Sequence, residues 1–228
     1  MNNDIVPDRI ENTSGCFQKL SEEELAFINE KKTQIFYLKG ETIFKQGAFA
    51  PHVLFVNHGL VRVYLQTGTN KQLNLRIARK GDFVAFSSVF GENIYNYSAV
   101  TLVDSAICMI DKSALKQLLM QNHDFALELT SRNYSNERRY LEIIGNISYK
   151  QMRGKLASAL LYLAEEEFKS ENLFQFLTRQ DIADFASITI ESAIKFLKEF
   201  EREGIIQLDR KNIDILNREE LLLISKNG

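Results

Sequence analysis

The hydrophobic period of this chain changes once, and that change limits the folds open to it. Between about residues 34 and 110, short apolar or alternating runs follow one another at 34–38, 41–44, 52–57, 60–66, 71–78, 82–86, 95–103 and 105–110. Glycines at 40, 47, 59, 68 and 81 punctuate them, and each is read as a turn needing positive φ. Many short strands with glycine turns indicate an antiparallel sandwich or roll. Before them, 17–32 reads as a short helix, with Ser21 and Glu24 spaced as a capping box ahead of Leu25 and Ile28. After Lys112 the period is helical to about Phe168. The chain is therefore read as α+β.

Within the helical region, Leu127, Tyr134 and Leu141 recur every seven residues, with Phe125, Leu129, Ile144 and Ile147 near the same stripe. A helix of roughly 24 residues would span about 36 Å, longer than one small domain needs. An a/d-like repeat can pair with a second copy of itself, so Leu127, Tyr134, Leu141 and Ile144 are read as a dimer seam. The alternative is a helix packed on its own sheets. Gly145 and Asn146 weaken the helix near its end, which places a hinge around 145–150. The expected domains are 1–122, 123–148 and 149–228.

Beyond the hinge, MRGKLASALLYLAEE is read as an amphipathic helix with Leu156, Leu160 and Leu163 on one face. Residues 178–203 then read TRQDIADFASITIESAIKFLKEFERE. Thr178 suits an N-cap and Asp181 completes the box. The first helix runs to about Phe185, Ala186-Ser187-Ile188 form the turn, and Thr189 caps a second helix with Ala193, Phe196, Leu197 and Phe200 as its core face. Helix, three-residue turn, helix is a helix-turn-helix. The turn position often held by glycine is Ser187, which is strained if a left-handed backbone is needed there. Gly204 stops the second helix, and two β-rich runs around Asp209-Arg210-Lys211-Asn212 make a hairpin wing with a basic tip.

Composition excludes several classes. With 228 residues, 45% hydrophobic and 25% charged, the chain is average for a globular protein. It has no 18-residue apolar run, and the polar, acidic stretch 1–11 is no secretory signal. Cys16 and Cys108 lie far apart with no CxxC, so neither a disulfide framework nor a four-thiolate iron–sulfur cluster is expected. The location read from this is cytoplasmic, with no membrane partner. The formal charge is −2, and residues 150–228 hold 14 Asp and Glu against 12 Lys and Arg. Any nucleic-acid surface must therefore concentrate its cations on one face.

The stretches YLKGETIFKQG (37–47), VLFVNHGLVRVY (53–64), Lys80-Gly81-Asp82-Phe83 and LTRQDIADFASITIESAIKFLKEFEREGII (177–206) occur in the order typical of one family. Over nearly its whole length the chain resembles the cyclic-AMP-receptor/fumarate-nitrate-regulator family. The resemblance implies an N-terminal antiparallel β-roll of the cyclic-nucleotide-binding, jelly-roll type, a long dimerisation helix and a C-terminal winged helix-turn-helix. It also implies a bacterial transcription regulator that binds double-stranded DNA as a homodimer and contacts RNA polymerase. In that mode the second helix, 189–200, enters the major groove, and its solvent face offers Ile190, Glu191, Ser192 and Lys195 to base edges. Glu accepts from cytosine N4 and a cation donates to guanine. Family members carry Arg where Lys195 stands, so the bidentate fork is replaced by a point charge. Ile190, often Arg in the cyclic-AMP branch, suits a thymine methyl and points to an A/T-richer half-site. Thr178, Arg179, Thr189, Lys198, Arg210 and Lys211 are candidates for phosphate contacts. Dimer symmetry implies a palindrome with half-sites about 34–36 Å apart.

The sensor half departs from the family. Nucleotide-binding members place Glu after the Gly-Asp turn and Arg before Ser-Ala; here these are Phe86 and Tyr97, and Gly91-Glu92 sits too close to Ser98 to replace them. Without the cation, burying a phosphate is costly, so cyclic AMP and cyclic GMP are not expected. Haem held through His52, His58, His123 or a cysteine stays open. Phe83, Phe86, Tyr97 and Ser98 form the candidate effector pocket, or simply fill the roll. One rival reading is a ligand-sensing adaptor whose winged helix binds protein. The other is a cupin-like metalloenzyme, which wants a His-x-His that this chain lacks. No metal site and no catalytic grouping stands out, so an enzyme is not expected.

Overall fold

Ser21 and Glu24 each take the other's backbone N–H and start α1 (Glu22–Glu30), as their spacing predicts. In this computed structural model the described residues are 8–11, 15–69, 71–91 and 93–228. Most of the acidic 1–11 stretch, and Glu92, lie outside them. A 3₁₀ turn, Gly15–Lys19, precedes α1.

Eight strands follow: β1 (Lys32–Tyr37), β2 (Thr42–Phe44), β3 (His52–His58), β4 (Leu60–Gly68), β5 (Lys71–Arg79), β6 (Phe83–Val84), β7 (Ser98–Thr101) and β8 (Ser105–Asp111). They form two four-stranded sheets, ordered β1-β8-β3-β6 and β2-β7-β4-β5, with antiparallel registers. This is the expected β-roll. Two strands are shorter than expected. The run at 82–86 stops at Val84, because Ala85 turns left-handed at φ 62° and opens a 3₁₀ turn, Phe86–Val89. The run at 95–103 pairs only over Ser98–Thr101. Gly68 is no positive-φ turn; it closes β4 as a strand residue. Gly59, at φ 99°, is required outright, since a Cβ there would lie 2.2 Å from the Ser105 hydroxyl.

A core of aromatic and aliphatic side chains ties one sheet to the helices. Phe17 is fully buried, with ring centroids 4.9 Å from Phe55, 5.6 Å from Phe83 and 5.9 Å from Phe125. Asp111 caps α2 (Lys112–Gln121) by accepting the backbone N–H of Ser113 and Ala114. The helical stretch then breaks at Asn122, whose side chain accepts from Phe125 N–H and donates to Lys19 O.

The next helix, α3 (His123–Tyr149), runs 27 residues without interruption, through Gly145 and Asn146. Its faces differ. Phe125 and Leu129 are buried in the aromatic core, whereas Leu127, Tyr134, Leu141 and Ile144 are 72%, 65%, 64% and 60% exposed. Phe125 and Leu129 therefore leave the seven-residue stripe on which the spacing placed them. A residue two positions from Leu127 lies about 200° round the helix.

The chain groups into two compact units. The first runs to Gln66 and resumes over Arg76–Arg138; the second takes Thr67–Leu75 and Arg139–Gly228. In the second unit α4 (Met152–Leu163) is buried at every position from Leu156 to Leu163. It is thus a central helix rather than the one-sided helix expected from Leu156, Leu160 and Leu163. Two 3₁₀ turns (Glu166–Glu171 and Leu173–Phe176) lead to α5 (Arg179–Ala186), α6 (Ile190–Arg202), β9 (Ile206–Asp209), β10 (Asn212–Ile215) and α7 (Arg218–Asn227). The sequence reading missed α7. Its signal was Asn217, whose side chain accepts from Glu220 N–H as an N-cap. Its Ser225 shares hydrogen bonds with Ser158 of α4 and with Lys150.

Candidate nucleic-acid interface

Local chemistry fixes the two helices of the motif before any packing does. Thr178 and Asp181 close a capping box at the start of α5, and Ile182, Ala183, Phe185 and Ala186 turn inward. Ser187 takes the left-handed conformation at φ 52°, the strain foreseen for a non-glycine turn. Thr189 then accepts from Ser192 N–H and starts α6. The helix ends in a Schellman motif: Ile205 N–H donates to Phe200 O and Gly204 N–H to Glu201 O, with Gly204 at φ 71°.

α6 has a buried face of Ala193, Leu197 and Phe200, and Phe196 is only half-buried. Glu191, Lys195 and Lys198 occupy the exposed face, flanked by half-buried Ile190 and Ser192. The Lys195 side chain is 69% exposed; its Nζ lies 3.9 Å from Glu199 Oε1 and 5.4 Å from the Phe196 ring centroid. Exposed contacts of this kind are worth little, so the cation is available to a partner. The carboxylates Glu199 and Glu203 are engaged by Arg153 of α4, whose guanidinium also lies over the Phe200 ring. That arrangement shows how a domain with no excess of cations can present a locally basic helix face.

The other sequence candidates divide. Arg210 and Lys211 are exposed at the turn between β9 and β10. The Thr178 hydroxyl donates to Asp181 Oδ2 at 2.6 Å, and the Thr189 hydroxyl donates to Ser192 Oγ at 3.1 Å, so both already serve the caps. Arg179 is half-buried and donates through Nη2 to the Arg210 carbonyl at 2.9 Å. Burial pulls its pKa down, against the nearby Glu201 carboxylate, which raises it.

In the β-roll the four effector-pocket candidates are drawn together in part. Phe83 and Phe86 belong to the core around Phe17 and Phe55. Tyr97 lies against Phe44, at 6.0 Å between rings, and its hydroxyl accepts the Ala85 N–H at 2.8 Å. Ser98 Oγ accepts from Gln46 N–H at 3.0 Å. The sequence reading overlooked Arg76, only 5% exposed, which donates to the Phe83 carbonyl at 2.7 Å and lies 4.0 Å from Asp82. An arginine between Leu75 and Ile77 in an apolar strand was the available signal. Cys16 and Cys108 are free, buried thiols, and burial pushes them up to about 12 and about 11, so neither is a thiolate near neutral pH. Among the described residues no three His, Cys, Asp or Glu gather as metal ligands, and no helix is long and apolar enough to cross a membrane.

Two family models match the chain: a cyclic nucleotide-binding domain over residues 34–122 and a Crp-like helix-turn-helix domain over 154–224. The anaerobic regulatory protein of Bacillus subtilis is 28% identical over 185 residues, which cover 79% of this chain and 78% of that one. A CRP-like cAMP-activated global transcriptional regulator of Mycobacterium tuberculosis is 22% identical over 94% of this chain and 97% of its own length. Among solved structures, a CooA double mutant from Carboxydothermus hydrogenoformans superposes with a TM-score of 0.77 at 21% identity, covering 96% of this chain and 98% of that one. That likeness extends the shared fold over both units.

Proposed function

Since the chain belongs to the CRP/FNR family of DNA-binding transcription regulators, we propose that it binds a palindromic operator as a homodimer, with α6 in the major groove and the β-roll as its control domain. The observation that carries this reading is the two-sidedness of α6, where exposed Glu191, Lys195 and Lys198 stand opposite buried Ala193, Leu197 and Phe200. Ile190, Glu191, Ser192 and Lys195 read base edges. Thr178, Thr189, Lys198, Arg210 and Lys211 approach phosphates, the two threonines by turning a hydroxyl proton from its cap partner, Asp181 or Ser192, to a phosphate oxygen. The bare Leu127, Tyr134, Leu141 and Ile144 stripe pairs with a second copy along α3. Such a dimer sets two recognition helices about 34–36 Å apart.

The mycobacterial relative is described as cAMP-activated; this chain is not read as taking a cyclic nucleotide. Tyr97 stands where the family's arginine does, and its hydroxyl already uses the Ala85 amide. As a regulator the protein performs no catalysis, works in the cytoplasm where its DNA lies, and engages RNA polymerase. The test is selection of bound sequences from random DNA with wild type and Lys195→Ala. The variant should lose roughly 1–3 kcal/mol on the selected site and relax one base position. Equal loss on selected and random duplexes would defeat the reading.

A further inference from the structure

The wing of this domain is a two-stranded hairpin, which by itself is marginal in water. Its register pairs Asp209 with Asn212 across the Arg210-Lys211 turn. Antiparallel alternation then directs the Leu208 N–H away from β10, onto the open edge of β9. Glu201, near the end of α6, accepts that N–H at 3.1 Å. At the tip, Arg210 has a left-handed backbone at φ 53°, strained for a non-glycine, and its carbonyl receives the Arg179 guanidinium at 2.9 Å. One side chain from each helix of the motif thus holds the wing, one at its edge and one at its tip.

Resting on the DNA-binding reading above, we propose that Arg179 and Glu201 are positioning residues that fix the wing-tip cations Arg210 and Lys211 relative to α6, and that Arg179 is not itself a phosphate ligand. A carboxylate beside a DNA-facing hairpin opposes phosphate. Without Glu201 the Leu208 edge amide passes from a fixed protein partner to water, and the wing swings. A pre-set wing loses less freedom on binding, and this raises affinity without adding a contact.

The experiment uses the full-length protein and the duplex selected by wild type. Glu201→Ala removes a repulsive charge, so simple electrostatics predicts tighter binding. Positioning predicts affinity lower by about threefold to tenfold, the range set by one hydrogen bond. Arg179→Gln should weaken binding comparably in the wild-type background and leave it unchanged in an Arg210→Ala/Lys211→Ala background. A phosphate ligand would instead cost the same in both and reduce the salt slope by about 0.9 in each. Amide exchange of the 204–216 segment needs no DNA, and both Glu201→Ala and Arg179→Gln should accelerate it. Tighter binding by Glu201→Ala, additive losses for Arg179→Gln, or unchanged wing exchange would each overturn the proposal. A wild type without sequence preference, but with wing exchange that responds to both variants, would overturn the DNA reading and leave the wing strut standing.

Discussion

In the β-roll Ala85 sits at φ 62°, and in the winged unit Ser187 sits at φ 52°, each a non-glycine in the left-handed region. Ala85 is buried, and its amide is satisfied by the Tyr97 hydroxyl. Ser187 is exposed at the turn between α5 and α6. The contrast extends to both units. The roll turns Phe17, Phe55 and Phe83 into its core and its Arg76 cation onto the Phe83 carbonyl, whereas the winged unit turns Lys195, Lys198, Arg210 and Lys211 outward. Side chains committed inside a fold appear as stability, and those left in solvent appear as binding.

The largest effect expected from that division is in the roll. Phe17→Ala removes a ring that touches Phe55, Phe83 and Phe125 and should cost about 3–5 kcal/mol. Lys195→Ala should change stability by less than about 0.5 kcal/mol while weakening DNA binding. Calorimetric melting of both variants checks this. Comparable destabilisation by the two would erase the contrast.

Tyr97→Phe comes next. It keeps the ring against Phe44 and removes the acceptor for the Ala85 N–H, so the cost should be about 1–3 kcal/mol. Chemical denaturation of the variant checks the loss. Saturable binding of cyclic AMP by wild type would break the comparison, since the roll would then be an open site rather than a self-satisfied one.

The two units also differed in how much their sequence disclosed. Capping boxes, Gly204 and the spacing of Ala193, Leu197 and Phe200 are local signals, and they locate α5, α6 and the wing almost residue by residue. The strands of the roll were legible for the same reason, as short apolar or alternating runs between turns. Contacts over long sequence separations were not. Nothing local shows that Arg76 reaches the Phe83 carbonyl, or that Arg179 spends its guanidinium on a carbonyl 31 positions away. Phe125 was placed on the wrong side of α3 because a stripe defined by Leu127, Tyr134 and Leu141 tolerates neighbours that the 100° step per residue excludes. Nor does a motif show that the Tyr97 hydroxyl reaches the Ala85 amide beside Phe86, while Phe83 and Phe86 turn their rings into the core.

The paired left-handed residues give a smaller test. Ser187→Gly relieves about 1–2 kcal/mol of backbone strain against about 0.4–1 kcal/mol of added chain entropy in the unfolded state. The turn loses no buried atoms, so a net gain of about 0.5–1 kcal/mol is expected. Ala85→Gly gains the same relief but deletes a buried methyl worth about 0.8 kcal/mol, which should leave it near neutral. Chemical denaturation of the two variants checks the difference. An equal gain at both positions would mean that the Ala85 methyl contributes nothing to the roll.

The smallest effect separates the two units by pH. α2 in the roll starts on a carboxylate, Asp111, whereas α6 starts on a neutral hydroxyl, Thr189. The Ser113 hydroxyl foremost, then the backbone amides at Ser113 and Ala114, hold Asp111 below the ordinary carboxylate value, against burial, which opposes them by more than either amide contributes. A depressed folded pKa contributes stability above the unfolded value, near 3.8, and that stability is lost as pH falls through the lower folded value. Ser113→Ala removes one of the donors. It should therefore destabilise at pH 7 by less than about 1 kcal/mol, because solvent screens so exposed a group, and the deficit against wild type should close as the solution is acidified from the unfolded value of 3.8 down through the lower folded one. Thr189→Ala also loses a cap worth about 1 kcal/mol, but no titrating group is involved, so its deficit should stay level over the same range. A Ser113→Ala deficit that persists at low pH would show that the hydroxyl serves α2 without acting on the charge of Asp111, and the distinction between a charged and a neutral helix start would then fail.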